Sequence, residues 1–144
     1  MTARRVTENE MLSDVIDLLQ ANGLPYKDIV VEKSFIYSYV DGDGNLTGSG
    51  GLEFYGLFAL LRSIAVRKDL QGKGIGKAIV HDLIEKAKEK KVTAVYLLTE
   101  TAHDYFSSLQ FLDVDRASVP QEIRSSSEFS NVCPASAASM VYKL

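Results

Sequence analysis

A glycine-rich loop is the part of this chain whose residue types and spacing could do chemistry. Gln71-Gly72-Lys73-Gly74-Ile75-Gly76-Lys77 follows an apolar run and precedes a helical pattern. Such a loop offers backbone N–H groups, and the partial positive charge of a helix N-terminus, to something anionic. Arg62, Arg67, Lys68, Lys73 and Lys77 gather around it. Two phosphate-loop patterns fail on spacing. A nucleotide-hydrolysing loop would need glycine where Gln71 stands and Ser or Thr where Ala78 stands. A dinucleotide fingerprint counted from Gly72 puts Lys77 where its last glycine belongs. What remains is Gln-x-x-Gly-x-Gly, carried by Gln71, Gly74 and Gly76, or a plain strand-to-helix turn. Asp41-Gly42-Asp43-Gly44-Asn45 resembles the start of a calcium loop, but it lacks the closing glutamate and reads as a hairpin turn. Cys133 is the only cysteine, which excludes an internal disulfide and a multi-cysteine metal site. It reads as a buried small hydrophobe before it reads as a pocket residue.

The elements that must position the loop can be read along the chain. Arg4 to Thr7 suggests a short first strand. Thr7-Glu8-Asn9-Glu10 matches a capping box with Thr7 as N-cap. Met11, Leu12, Val15, Ile16, Leu18 and Leu19 then recur at helical spacing until Gly23 and Pro25 end the helix. A short second helix is expected near Tyr26 to Ile29. Phe35 to Val40 and Leu46 to Phe54 read as strands around the Asp41–Asn45 turn. Gly48, Gly50 and Gly51 suggest a bulge, or close approach of another group. Phe58 to Val66 is nearly continuously apolar and fits a central strand covered on both faces. Gly74 to Lys90 has helical periodicity in Ile75, Ile79, Val80, Leu83, Ile84 and Ala87. Ala94 to Thr99 is a fifth strand, and strand–helix–strand at this spacing makes the fourth and fifth strands parallel. His103 to Leu109 should be a short helix, Val114 to Ala117 a strand, and Ser139 to Tyr142 the last strand. Between them runs a serine-rich connection, Val119 to Ala135, with one helical turn expected after Pro120.

Length and composition set the class. The 144 residues suit a single domain, residues 1–144, and 46% apolar with 24% charged residues is an ordinary globular composition. The net charge of −3 argues against nucleic acid as partner. No apolar run could span a membrane. Met1-Thr2-Ala3-Arg4-Arg5 leads into polar sequence without an apolar segment, which argues against a secretory signal and for a cytoplasmic protein.

The Gln71-x-x-Gly74-x-Gly76 loop resembles the acyl-CoA pyrophosphate loop of the GNAT superfamily of N-acetyltransferases. Leu61-Arg62-Ser63-Ile64-Ala65-Val66 is similar to the fourth strand of that fold. Leu97-Leu98-Thr99 with Ala102, Phe106 and Phe111 is similar to its fifth strand and following helix. The order of elements agrees from about Arg4 to the C-terminus. More finely, Gly23-Leu24-Pro25, Leu60-Leu61-Arg62-Ser63, Leu97 to Ala102 and the tail Cys133-Pro134-Ala135-Ser136-Ala137 with Met140 resemble the arsenic-resistance (ArsN-type) acetyltransferases and the acetyltransferase domain of N-acetylglutamate synthases.

The resemblance implies an α/β GNAT fold, a mixed central sheet of six to seven strands flanked by about four helices. It implies acetyl-CoA as co-substrate and no metal. Direct transfer to the primary amine of a small molecule, an amino acid or analogue, is expected. A protein amine as acceptor and a non-catalytic acyl-CoA-binding domain are the alternatives. A homodimer would be in keeping with the superfamily. By the same resemblance, backbone groups of Ile64 and Val66 pair with the pantetheine arm, and the N–H near Ile64 or Ala65 faces the thioester oxygen. Gln71, Gly72, Lys73, Gly74, Ile75, Gly76 and Lys77 hold the pyrophosphate. Many members carry a general-acid tyrosine on the helix after the fifth strand, and here that position falls on Phe106, with Tyr105 beside it. Adjacent helical residues point about 100° apart, so Tyr105 is no automatic substitute. Glu53 is the candidate base, or else a surface glutamate of an edge strand, with Glu100 in reserve; Arg62 is a candidate grip for a substrate carboxylate, or else half of a structural ion pair. His81 reads as solvated, and His103 lies near the cofactor.

Overall fold

A computed structural model describes residues 1–31, 33–132 and 136–144. The elements are β1 (Thr2–Arg5), α1 (Asn9–Ala21), β2 (Phe35–Val40), β3 (Leu46–Tyr55), β4 (Phe58–Val66), α2 (Ile75–Glu89), β5 (Ala94–Thr99), α3 (His103–Ser108), β6 (Leu112–Asp113), α4 (Gln121–Arg124) and β7 (Ala138–Lys143). The strands form one seven-stranded sheet in the order β1-β2-β3-β4-β5-β7-β6. All neighbours are antiparallel except β4 and β5, which are parallel because α2 carries the chain back across one face. Among the described residues no helix is long and apolar enough to cross a membrane.

Several boundaries differ from the sequence expectation. The first strand is Thr2–Arg5, earlier than Arg4 to Thr7, because Val6 turns inward, is fully buried and donates its N–H to the Ile36 carbonyl at 2.7 Å. Glu8, not Thr7, is the N-cap of α1, and no side chain caps that end. Tyr26 to Ile29 forms only a turn, closed by the Ile29 N–H on the Tyr26 carbonyl at 3.2 Å. The sixth strand is the two-residue Leu112–Asp113 instead of Val114 to Ala117, where the chain passes into a 3-10 turn over Arg116–Ser118. The turn expected after Pro120 is α4, and a π-helical turn follows over Glu128–Val132.

The glycines of β3 show why α2 can lie so close to the sheet. A Cβ at Gly50 would sit 2.5 Å from Leu83 Cδ1 and 2.9 Å from Ile64 Cδ1. At Gly48 it would meet Ile79 Cδ1 at 2.6 Å and the Ala65 carbonyl oxygen at 2.8 Å. Ile79, Val80, Leu83, Ile84 and Ala87 of α2 are buried against this surface. Burying a side chain of that size contributes about 1.5–3 kcal/mol. Side-chain ends can move and a backbone oxygen cannot. Gly48→Ala is therefore expected to destabilise by about 1–3 kcal/mol, and Gly50→Ala by less. Equal denaturant midpoints for the two variants would contradict this packing.

The opposite face carries α1, whose Val15, Leu18 and Leu19 pack with Val6, Ile36 and Ala65. Beside it Val119, Ile123 and Phe129 cover Leu60 and Leu98. The long connection is thus folded under β4 and β5, and it brings Ser127 and Glu128 to the centre of the sheet.

Candidate active site

The parallel ladder between β4 and β5 is short. It pairs Phe58 with Ala94, Ala59 with Val95 and Leu60 with Tyr96, and ends there. Beyond it the two strands separate. A bulge helps: Ser49 opposes Ala65 and Gly51 opposes Arg62, so Ser63 and Ile64 together face Gly50 alone. Ser63 sits at φ +60°, the left-handed region, and its carbonyl accepts the Ser49 hydroxyl at 2.8 Å. The Arg67 N–H donates to the Thr47 carbonyl at 2.9 Å. Strand alternation then turns the polar groups of Ala65 toward β3 and those of Ile64 and Val66 toward the cleft. The Val66 carbonyl is met there by Gln71 Nε2 at 3.1 Å and Asn22 Nδ2 at 3.5 Å.

The cleft opens into a groove of about 880 Å³ lined by Ile64, Ala65, Val66, Gln71, Gly72, Gly74, Ile75, Gly76, Lys77 and Tyr105. Lys73 is not on its wall. Gly72 and Gly74 stand at φ +81° and +85°, and the space a Cβ would take at either is open. Gly74 is the N-cap of the fifteen-residue α2, whose first turn therefore presents N–H groups and positive dipole to the groove. Gln71 ties the loop back to the C-terminus of α1 through Asn22 Oδ1 at 3.1 Å. An extended, apolar-walled trough that ends on a helix N-terminus fits a pantetheine arm with a pyrophosphate.

At the inner end lies a smaller pocket of about 270 Å³, walled by Leu24, Pro25, Leu61, Arg62, Ser63, Ile64, Leu97 to Ala102, Phe106 and Glu128. Arg62 is 3% exposed there and committed to carboxylates. Its Nη1 reaches Asp28 Oδ2 at 2.6 Å and Glu53 Oε2 at 3.0 Å, its Nη2 reaches Asp28 Oδ1 at 2.7 Å, and its Nε lies 3.3 Å from Glu128 Oε2. The bidentate partner of this guanidinium is Asp28, so of the two expectations for Arg62 the structure has the ion pair, as part of a buried network, in place of a free grip for a substrate carboxylate.

Glu53 is 6% exposed, and both its oxygens are engaged. Oε2 accepts the Ser34 hydroxyl at 2.6 Å besides Arg62, and Oε1 accepts the Tyr55 hydroxyl at 2.6 Å. It faces a separate opening of about 540 Å³ lined with Lys33 and Tyr55, not the inner pocket. Burial alone would raise the Asp28 pKa, but the bonds from Arg62 and Ser127 and the charge of Arg62 outweigh it and hold it below the usual value. Stability from Asp28 is accordingly present above its unfolded pKa, about 4, and is lost as pH falls through the lower folded value. The Tyr55 hydroxyl is pushed up by burial and by Glu53.

Phe106 lines the inner pocket, while Tyr105 lies on the outer groove, 40% exposed. A Cβ on Gly76 would come within 2.5 Å of the Tyr105 hydroxyl. The tyrosine therefore stands over the phosphate loop, while Phe106 holds the position beside the pocket where many members of the superfamily carry their tyrosine. Glu100 is exposed on the pocket rim. Glu128 is the pocket carboxylate that sequence reasoning missed; a single acid after Ser125-Ser126-Ser127 carries no spacing signal. Cys133 lies outside the described residues.

His103 begins α3 and bridges Asp113 of β6, Nε2 to Oδ1 at 2.6 Å, with Asp104 at 3.2 Å from Nδ1. Its pKa is raised, first by Asp104 and then by Asp113. The folded value exceeds the unfolded one, so this contact stabilises fully below about pH 6.5 and is lost as pH rises through the folded value. NMR titration of Asp113→Asn should show the His103 pKa move down. An unchanged midpoint would mean the contact does not form.

The model of the acetyltransferase (GNAT) family matches residues 9–112, and the chain belongs to that family. It is an acetyltransferase that uses acetyl-CoA. The amino-acid acetyltransferase of Mycobacterium tuberculosis is 25% identical over 126 residues, which is 83% of this chain and 71% of that one. A crystal structure of a Mycobacterium tuberculosis protein in complex with CoA has a TM-score of 0.76 at 22% identity, covering 100% of this chain and 99% of that one. N-acetylglutamate synthase from Neisseria gonorrhoeae, complexed with coenzyme A and N-acetyl-glutamate, has a TM-score of 0.78 at 17% identity over 99% of this chain, which spans 35% of that one. The mixed sheet expected from the sequence is thus the GNAT fold.

Proposed function

We propose that the protein acetylates the primary amine of a small molecule. The observation that carries this is the inner pocket: at about 270 Å³ it falls just below the roughly 300–1,000 Å³ usual for ligand sites, room for a small acceptor only. The connection bearing Glu128 folds under it, and a peptide would need an open trough. The co-substrate supplies an activated acetyl thioester. The N–H groups of Gly72 to Lys77 hold its pyrophosphate, and Tyr105 joins them as a contact. Backbone groups of Ile64 and Val66 pair with the arm, and the Ile64 N–H faces the thioester oxygen. An ammonium has no lone pair, so the acceptor must lose a proton before it attacks. Glu128, on the pocket wall, takes that role in place of Glu53. An amino acid as acceptor keeps support from the name of the mycobacterial relative, but it no longer has support from Arg62.

Thiol release from acetyl-CoA with a panel of small amines tests the reading. Turnover of at least one small amine, lowered about a hundredfold by Glu128→Gln, is expected. Transfer only to lysines of peptides would replace the reading with protein acetylation. Absence of any transfer despite acetyl-CoA binding would replace it with a binding domain.

A further inference from the structure

We infer that Asn22 holds the arm of the co-substrate by donating a hydrogen bond from its side-chain amide to one of the arm's carbonyl oxygens. The inference rests on the arm lying along Ile64 and Val66, as in the proposed function, and adds a residue outside β4 and the glycine loop. Asn22 closes the C-terminus of α1. It lines both the outer groove and the inner pocket, as do Leu24, Ile64, Thr101 and Ala102. The arm enters from the groove and the amine from the pocket, so these five residues mark the junction where the thioester must lie. Asn22 and Thr101 are the polar side chains among them, and Asn22 is the one beside the Val66 carbonyl of β4.

One proton of the Asn22 amide is in weak use. Nδ2 gives its first to the Leu18 carbonyl at 2.9 Å. The second reaches the Val66 carbonyl over 3.5 Å, long for an N–H···O bond. Oδ1 accepts Gln71 Nε2 at 3.1 Å. Two carbonyl oxygens on one side and an amide nitrogen on the other fix which way the Asn22 amide faces. Gln71 Nε2 also donates to the Val66 carbonyl at 3.1 Å, so both its protons are committed. A carbonyl oxygen accepts two hydrogen bonds. An arm N–H that pairs with Val66 therefore displaces the longer of the two contacts, the one from Asn22. The arm itself presents two amides and a thioester, hence two N–H groups and three carbonyl oxygens. Ile64 and Val66 offer it two carbonyls and two N–H groups, which leaves one arm carbonyl without a partner on the strand. Against Leu24 and Ile75 that oxygen would lose its hydration without replacement. Asn22 Nδ2, half-buried at the same edge and released from Val66, is the donor that supplies the missing bond.

Isothermal titration with CoA and with its nucleotide half, 3′-phosphoadenosine 5′-diphosphate, separates the arm from the pyrophosphate. Asn22→Asp keeps an oxygen for Gln71 and removes the donor, whereas Asn22→Ala removes both. The wild type should bind CoA more tightly than the nucleotide half. Both variants should weaken CoA about three- to tenfold, the loss of one hydrogen bond, and leave the nucleotide half within about twofold. The ratio of the two affinities within one variant is independent of any stability lost at the end of α1. Wild-type CoA affinity in Asn22→Asp overturns the inference. A loss in Asn22→Asp alone does so too, since it would come from the added charge. An equal loss for CoA and the nucleotide half also overturns it, making Asn22 a prop for the loop that Gln71 begins. Equal affinity of the wild type for both compounds overturns it together with the placement of the arm on β4. Acetylation of a small amine is read separately by thiol release, so each of these results leaves that reaction to its own test.

Discussion

Gly74→Glu should lose acetyl-CoA affinity at least a hundredfold and keep its fold. Gly74 stands at φ +85° with open space where its side chain would be, at the N-cap of α2. A non-glycine residue there costs about 1–2 kcal/mol of backbone strain, which a domain of ordinary stability survives. The carboxylate would enter the volume assigned to the pyrophosphate. Two unit charges about 4 Å apart at an effective dielectric constant near 20 repel by about 4 kcal/mol before screening by salt. Each 1.4 kcal/mol is about tenfold in Kd, so a hundredfold loss is the conservative figure. Gly74→Ala separates the causes, since it brings the same strain without the charge; it should lower Tm with a much smaller loss of affinity. Isothermal titration with acetyl-CoA decides the matter. Unchanged binding by Gly74→Glu would remove the pyrophosphate from this loop.

Replacing Arg62 with leucine should be the most damaging single change in the core. Removing one partner of a buried ion pair costs about 3–5 kcal/mol because the other charge stays buried and unpaired. Here three carboxylates lose their common partner. A fall in Tm of roughly 10 °C or more is expected for a chain of this size. Arg62→Lys should recover little, because one ammonium cannot reproduce the fork that reaches Asp28, Glu53 and Glu128. The pH dependence tells this mechanism from a simple packing loss. In the wild type Asp28 is held below its usual pKa, so acid removes stability. In Arg62→Leu the same carboxyl is buried without its cation and its folded pKa lies above the unfolded one. The deficit between variant and wild type should shrink as pH is lowered from 7 toward 5. A deficit constant across that range would rule out the charge account.

The sequence revealed backbone more readily than side-chain partnership. Strands β2 to β5 and helix α2 carry long apolar patterns, and their boundaries were legible within a residue or so. β6 was not, because a two-residue edge strand is defined by its pairing with Met140 and Val141 and has no pattern of its own. Thr7 looked like a cap because the capping box is a local pattern, yet burial of Val6 set where the helix could start. The loop from Gln71 to Lys77 was legible because its chemistry is local: glycines, a turn and a helix N-terminus. The Arg62 cluster draws Asp28 from a turn, Glu53 from β3 and Glu128 from the far connection. No spacing rule links them, so the sequence left Arg62 between a grip for a substrate carboxylate and half of a structural ion pair. Tyr105 and Phe106 were adjacent candidates whose two destinations, the outer groove and the inner pocket, depend on how α3 is rotated on the sheet.

The three-residue ladder between β4 and β5 has a thermodynamic consequence. Past Leu60 and Tyr96 the sheet is one strand short, and an extended arm lying along Ile64 and Val66 would complete it. Ligand and fold then share hydrogen bonds, so co-substrate at about a hundred times its Kd should raise unfolding free energy by about 2.7 kcal/mol. Backbone amides at the open ends of both strands should exchange with solvent more readily than those of the paired ends, and should slow together when the arm is seated. To this sheet, an acetyl-CoA bound in that way would be an eighth strand that leaves after each turnover.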